Sequence, residues 1–199
     1  MSVAATTVNF APSAFVPLAL GFFGLGVGYL IYGPQELVGY PPRDRKVDVM
    51  TGIWGIWMPG FLQFVTGVLL FVGLTWFGSF TDKPLYMAAV AFTAYGVHWW
   101  AIGMGRVFGS DPRPNALMSI PFLVLSVLGA VVFFGAHDNP VGVLFVGLSL
   151  VYICDFFASL GRPLWERLLG LAHTATGVWL MYLTVAAVLN MARGFNLPL

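Results

Sequence analysis

Residues 85–107 read LYMAAVAFTAYGVHWWAIGMGRV. The stretch is long enough to cross a bilayer, which takes about 20 mostly apolar residues. Yet its middle, AFTAYGVHWW (91–100), carries Thr93, Tyr95 and His98. A helix facing lipid all round would hold only residues such as Leu, Val and Phe there, because a polar group left unsatisfied in hydrocarbon is costly. Something polar must pass beside it.

The same reading extends along the chain. With 59% hydrophobic and 9% charged residues and a mean hydropathy of +0.86, 199 residues cannot hide their apolar surface in one water-soluble core. The bilayer must be the solvent. Pro, Gly and charge divide the chain into six spans, predicted over residues 14–32, 49–77, 85–107, 117–136, 141–160 and 168–191. The expected fold is an all-α membrane protein, six transmembrane helices in one domain over 1–199, with a short extension at 1–13 and a short tail at 192–199. The first span is not expected to be a cleaved signal, since no basic residue precedes it and further spans follow. The second contains Pro59 and Gly60 near its middle, which predicts a kink or tilt and a freed backbone carbonyl.

Charge sets an orientation. The connections after spans one, three and five carry Arg43, Arg45, Lys46, Arg106, Arg113, Arg162 and Arg167, whereas the opposite side has Lys83 and Arg193. The positive-inside rule places the first group in the cytoplasm and both termini outside, in a multi-pass protein of the plasma (inner) membrane.

Several signatures are missing from the sequence. It has no glycine-rich phosphate loop, no metal-ligand spacing, no nucleophile elbow and no stretch of soluble-domain composition. The chain therefore reads as not an enzyme, with no metal and no cofactor expected. A formal net charge of +1 gives no nucleic-acid footprint. The single Cys154 lies inside span five and reads as a small packed residue. Gly21, Gly24, Gly26 and Gly28 stud span one, Gly24 and Gly28 in GxxxG register, which favours close packing of a neighbouring helix over room for a pore.

Polar residues inside spans are the functional candidates: Gln63, Tyr95, His98, Asp155, His173, Thr174 and Thr176. Each has a structural reading beside the functional one. Gln63 can simply bond a neighbouring helix, Tyr95 a backbone carbonyl, and the histidines can be packed core residues. His98 and His173, on different helices, also admit axial haem ligation or a quinone site. Asp155 either pairs with a base, lines water or relays protons.

Four segments carry a resemblance. Val16, Pro17, Leu18, Ala19 and Leu20 look like the end of an NPAPLGL signature. Ala91, Phe92, Thr93, Tyr95, Gly96 and Trp99 match an AFxSYGxFW segment, with His98 in place of the aromatic. Asn115 and Ala116 follow Pro114 as PNA. Tyr182, Leu183, Val188, Leu189, Asn190, Gly194, Leu197 and Pro198 follow a YL…VLN…G…LP ending. In these respects the chain resembles the YaaH-type acetate and succinate transporter family, six-span proteins. It departs from that pattern between spans two and three, where residues 70–81 replace the family's Glu and GNTFG turn. Phe108, Gly109, Asp111, Arg113 and Pro114 also resemble a loop of the AmiS/UreI-type urea and short-amide channels, a second six-span family.

The first resemblance implies a central pore in each protomer of a homo-hexamer, passing a small-molecule solute across the lipid bilayer. Its narrow part would be lined by Phe23, Gln63 and Tyr95, and substrate size would be set at Leu150 and Leu180. Leu18, His98 and Trp99 join them as pore candidates, and Asp155 and His173 as proton-linked ones. The expected solute is a small monocarboxylate such as acetate, with succinate as the larger candidate and proton movement balancing charge. Urea or a short amide is the alternative solute. A non-transporting accessory subunit is the third reading, because Trp99 and Trp100 are bulky enough to plug a pore.

Overall fold

The computed structural model describes residues 16–199; the predicted extension at 1–13 and the predicted start of the first span at Ala14 lie outside the described residues. Six helices are long and apolar enough to cross a membrane: α1 Leu18–Val38, α2 Arg45–Thr75, α3 Pro84–Phe108, α4 Arg113–Gly135, α5 Asn139–Ser159 and α6 Pro163–Arg193. The expected all-α, six-span architecture is present.

The starts of five helices fall before the first apolar residue, because their first turns are polar or begin with proline. Asp44 caps α2, its carboxylate accepting the Val47 N–H at 2.8 Å. Pro occupies the first turn of α3, α4, α5 and α6, where its missing N–H has no helical partner to lose. We expect Asp44→Ala to cost about 1 kcal/mol and Asp44→Asn only a few tenths. Thermal unfolding in detergent checks this, and equal losses for the two variants would remove the cap from the account.

The first helix also ends later than expected. Pro34 reads as a breaker in sequence, yet α1 continues through it to Val38 and stops at Gly39, whose φ of 71° suits a left-handed cap and whose N–H bonds to Gln35 O. A proline forgoes its own N–H bond and strains the turn behind it. Packing on α6 offsets this. A Cβ at Gly170 would lie 2.7 Å from Gly33 O, so the two backbones touch at that point. Gln35 and Glu36 are thereby kept helical and on the bundle's inner side.

The predicted irregularity in α2 is a π-helical segment, Ile56–Leu62, with Pro59 inside it. Such a segment widens the turn, and proline is a common cause. It is seated on the glycine register of α1, where a Cβ at Gly24 would lie 2.6 Å from Met58 O and one at Gly28 2.6 Å from Pro59 Cγ. The GxxxG glycines therefore serve packing.

The helices close a ring in sequence order, each packed on its chain neighbours and α6 packed back on α1; the α3–α4 seam is the thinnest. No broad backbone packing joins α1, α3 and α5 to one another. These three face each other across the ring's axis, and side chains fill the space between them. At the far end, α6 stops at Gly194 and the tail turns back. Asn190 Nδ2 donates to Leu197 O, and Leu197 N donates to Asn190 Oδ1, each at 2.8 Å.

Candidate functional site

Two cavities lie on that axis. The first, of about 20 Å³, is lined by Leu18, Phe22 and Leu25 of α1, Gln63 of α2, Ala88, Ala91, Phe92 and Tyr95 of α3, Phe133 of α4 and Val141, Leu144, Phe145 and Leu148 of α5. It holds roughly one water. The second is a vestibule of about 550 Å³ lined by Tyr29, Tyr32 and Glu36 of α1, His98, Trp99 and Arg106 of α3, and Tyr152 and Asp155 of α5, with His173 of α6. At one end it is lined by Arg43 of the α1–α2 connection, Gly109 to Pro112 of the α3–α4 connection, and Ser159 and Glu166 on either side of the α5–α6 connection.

The lining residues form three stripes at helical spacing. Phe22, Leu25, Tyr29, Tyr32 and Glu36 run down α1, Ala88, Phe92, Tyr95, His98 and Ile102 down α3, and Leu144, Leu148, Tyr152 and Asp155 down α5. Steps of three and four keep residues on one helix face. One face of each helix thus serves both cavities.

Between the cavities stands an aromatic layer. Tyr95 stacks on Tyr152 with ring centroids 5.8 Å apart and meets Phe122 at 5.6 Å. His98 lies 4.7 Å from Phe122, and Trp99 lies 4.9 Å from Tyr32 and 5.9 Å from Tyr29. Tyr95 is 2% exposed, and its hydroxyl is 2.9 Å from Ser126 Oγ. Ser126 gives its own proton to Phe122 O at 2.8 Å, so Tyr95 donates and Ser126 accepts.

Gln63, beside the first cavity, has an unpartnered amide, and His98, within the layer, leaves one ring nitrogen without a partner. Gln63 is 0% exposed, and neither its amide nitrogen nor its amide oxygen has a hydrogen-bond partner. Leaving one such group unmade costs about 1–3 kcal/mol, so Gln63 is not explained as an interhelical bond. His98 Nδ1 meets the Tyr152 hydroxyl at 3.2 Å, while its Nε2 is buried and unpartnered. With Tyr152 as donor, the neutral ring carries its proton on Nε2.

The vestibule is charged. Glu36, Asp48, Asp111, Asp155 and Glu166 line it against Arg43 and Arg106. Arg106 donates to Gln35 Oε1 at 2.7 Å and to Asp48 at 3.1 Å, sits 3.8 Å from Glu36 and lies over the Tyr32 ring. His173 Nδ1 is 2.6 Å from Glu36. Asp155 accepts from Ser119 at 2.6 Å and Ser159 at 3.1 Å. In the α3–α4 connection, hydrogen bonds from Arg113 hold the Asp111 carboxyl down to about 2, so it stays ionised. Both histidines meet side-chain partners, His98 at Tyr152 and His173 at Glu36. Among the described residues no group of three or more His, Cys, Asp or Glu side chains is placed to hold a metal ion.

The structure brings Leu18, Gln63 and Tyr95 to the first cavity, and His98, Trp99, Asp155 and His173 to the second. It does not bring Phe23 or Leu150 there. Phe23 is 42% and Leu150 52% exposed, both on the outer surface of the bundle. Each residue turns the side chain by about 100° on a helix, and Phe22, one residue before Phe23, and Leu148, two before Leu150, occupy the lining positions instead. Leu180 is fully buried but lines neither cavity; its Cβ would lie 3.1 Å from a Cβ at Gly26, within the α1–α6 seam. Trp100 lies off the axis, 4.8 Å from Phe64 of α2. Tyr29, Tyr152, Glu36 and Arg106 line the vestibule and Ser126 bonds Tyr95, although the sequence did not single them out as site residues.

No protein-family model matches the chain, and no curated protein matches it by sequence. Among solved structures it is similar to that of the bacterial acetate channel SatP, with a TM-score of 0.70 and 20% sequence identity, over 94% of this chain and 96% of that one. The likeness shows a shared fold. The chain is a multi-pass membrane protein built on that six-helix plan.

Proposed function

We propose that the chain conducts small monocarboxylates such as acetate along its own axis. The observation that carries this is the pair of axial cavities separated by aromatic rings, one bordered by the unpartnered amide of Gln63 and the other by the unpartnered Nε2 of His98. A short acid has a polar head and a methyl tail, and this path alternates a hydrogen-bonding group with apolar walls. The fold shared with an acetate channel supports the same reading. The narrow part is assigned to Gln63, Tyr95 and His98, with Trp99 as wall and Leu18 at the entrance. Asp155 and His173, facing the vestibule, are the candidates for moving the accompanying proton. Succinate, with two carboxyl groups, sets a second polar head against the apolar walls of the first cavity and is the less favoured solute.

The vestibule is assigned to the cytoplasm, since it opens on the Arg-rich connections. Assembly as a homo-hexamer puts Phe23 and Leu150 at lipid or subunit contacts. Purified protein in liposomes is expected to take up labelled acetate faster than empty liposomes, most clearly at acid pH. Equal rates at both acid and neutral pH would sink the proposal.

A further inference from the structure

Two vestibule carboxyls are answered by no base. Glu36 meets Arg106 and His173, Asp48 meets Arg43 and Arg106, and Asp111 meets Arg113, whereas Asp155 and Glu166 take part in none of the ion pairs among the described residues. Glu166 is exposed in the first turn of α6, and Asp155 is half-buried near the end of α5. Of the helices packed on α5, α4 presents the neutral Asn115 and Ser119 on this side, and α6 contributes His173 and Glu166 to the same vestibule. Across the vestibule stand Glu36, His98 and Arg106.

The hydrogen bonds of Asp155 suit both of its charge states. Ser159 Oγ donates to Asp155 Oδ1 at 3.1 Å. Ser119 Oγ lies 2.6 Å from Asp155 Oδ2 and 2.9 Å from Asn115 O, with one proton to serve both. Turned to Oδ2, that proton gives the carboxylate a second donor. Turned to Asn115 O, as Ser126 turns to Phe122 O, it leaves Ser119 Oγ to accept an O–H from a protonated Asp155. One hydroxyl rotation therefore accompanies the gain or loss of a proton, and no heavy atom need move. A group that gives and takes a proton repeatedly requires this.

Asp155 also stands where a solute carboxylate needs a proton. It follows Tyr152 by three residues on the same face of α5, about 4.5 Å farther along the helix, and Tyr152 belongs to the aromatic layer. Beyond the layer the first cavity has no charged residue in its lining, so an anion there would lose its hydration without a counter-charge. We propose that Asp155 hands its Oδ2 proton to the solute's carboxylate at the mouth of the layer, so that the solute crosses as the undissociated acid. The Asp155 O–H bond breaks as an O–H bond to the solute forms, Ser119 turns to the carboxylate left behind, and Asp155 regains a proton from hydronium in the vestibule water. In the other direction Asp155 takes the proton from the arriving acid. Donor and acceptor are both carboxyl groups, so the transfer is close to balanced in energy. This rests on the monocarboxylate reading and assigns the accompanying proton to Asp155 rather than to His173, which Glu36 already holds.

The test is uptake of labelled acetate into protein-containing liposomes, less that into empty ones, at matched inner and outer pH from the acid's own pKa upward, with membrane current recorded in parallel. The unmodified chain should lose less than a factor of about ten per pH unit and carry no acetate-dependent current, because Asp155 supplies the proton that the dissolved anion lacks. Asp155→Asn keeps the shape but has no acid proton, and its flux should fall about tenfold per pH unit, tracking the undissociated fraction. Asp155→Glu should restore the shallow profile. Damage to packing alone would lower flux by one factor at every pH and leave the slope where it was. A shallow slope in Asp155→Asn, a slope in Asp155→Glu as steep as that expected for Asp155→Asn, or acetate-dependent current overturns the inference and leaves the monocarboxylate reading standing. So does a full tenfold fall per pH unit in the unmodified chain, a result that holds whatever Asp155→Asn does to folding. If the unmodified chain takes up acetate no faster than empty liposomes at any pH, both fall.

Discussion

Arg106→Met is expected to cost about 3 kcal/mol of stability, the low end of what breaking a buried ion pair costs. Arg106 stands at the vestibule end of α3, where its guanidinium reaches Gln35 and Glu36 of α1 and Asp48 of α2. It therefore ties three helices at one point. The Arg106 side chain is 13% exposed and that of Glu36 9%, so neither charge is freely solvated. Methionine keeps the apolar stem and deletes the guanidinium, with its charge, its donors and its contact over the Tyr32 ring. Glu36 keeps His173, and Asp48 keeps Arg43, which is why the upper end of the range is not expected. Arg106→Lys should recover only part of the loss, because one ammonium cannot span the fork of partners that a guanidinium does. Thermal or denaturant unfolding in detergent measures both variants. A loss below about 0.5 kcal/mol for Arg106→Met would place it among ordinary surface changes and remove the clasp.

Hydropathy made the six spans legible because length and apolarity are what the bilayer demands of any crossing helix. It could not say which side of each span faces the axis. In a soluble helix the apolar stripe marks the inside, but here the lipid-facing side is as apolar as the packed one, so the stripe carries no phase. Polar residues supplied the phase where a span had them. Gln63, Tyr95 and His98 were found that way, and the structure places all three on the axis. Phe23 and Leu150 had no polar neighbour at helical spacing to fix their phase, and both turned out to face outward. Arg106 was legible as charge and was counted with the loops, because nothing in the sequence shows that α1 passes Pro34 and carries Glu36 to meet it. The spacing of Tyr29, Tyr32 and Glu36 was the available signal. It was hidden by the assumption that the helix stops at proline.

Tyr95→Ala should produce the largest change in function, because that ring stands between the cavities. It lines the first cavity with Gln63, while its stacking partner Tyr152 and the next residue of its stripe, His98, line the second. Removing it joins the two spaces. The expected result is succinate uptake where the parent chain shows little, with acetate preference over succinate reduced about tenfold or more, equivalent to about 1.4 kcal/mol of lost discrimination. Stability should also fall by about 3 kcal/mol, the lower end for truncating a buried aromatic, since the space opened adjoins a path that water can enter. Tyr95→Phe separates the two effects. It keeps the ring and loses the bond to Ser126 Oγ, which should cost about 1 kcal/mol. Ser126 still bonds Phe122 O, so no other group is stranded and acetate preference should hold. A Tyr95→Ala protein that is less stable yet keeps its preference would show that the ring only packs. In that case the constriction must lie elsewhere in the layer, with Trp99 and Tyr29 the rings that still close the axis.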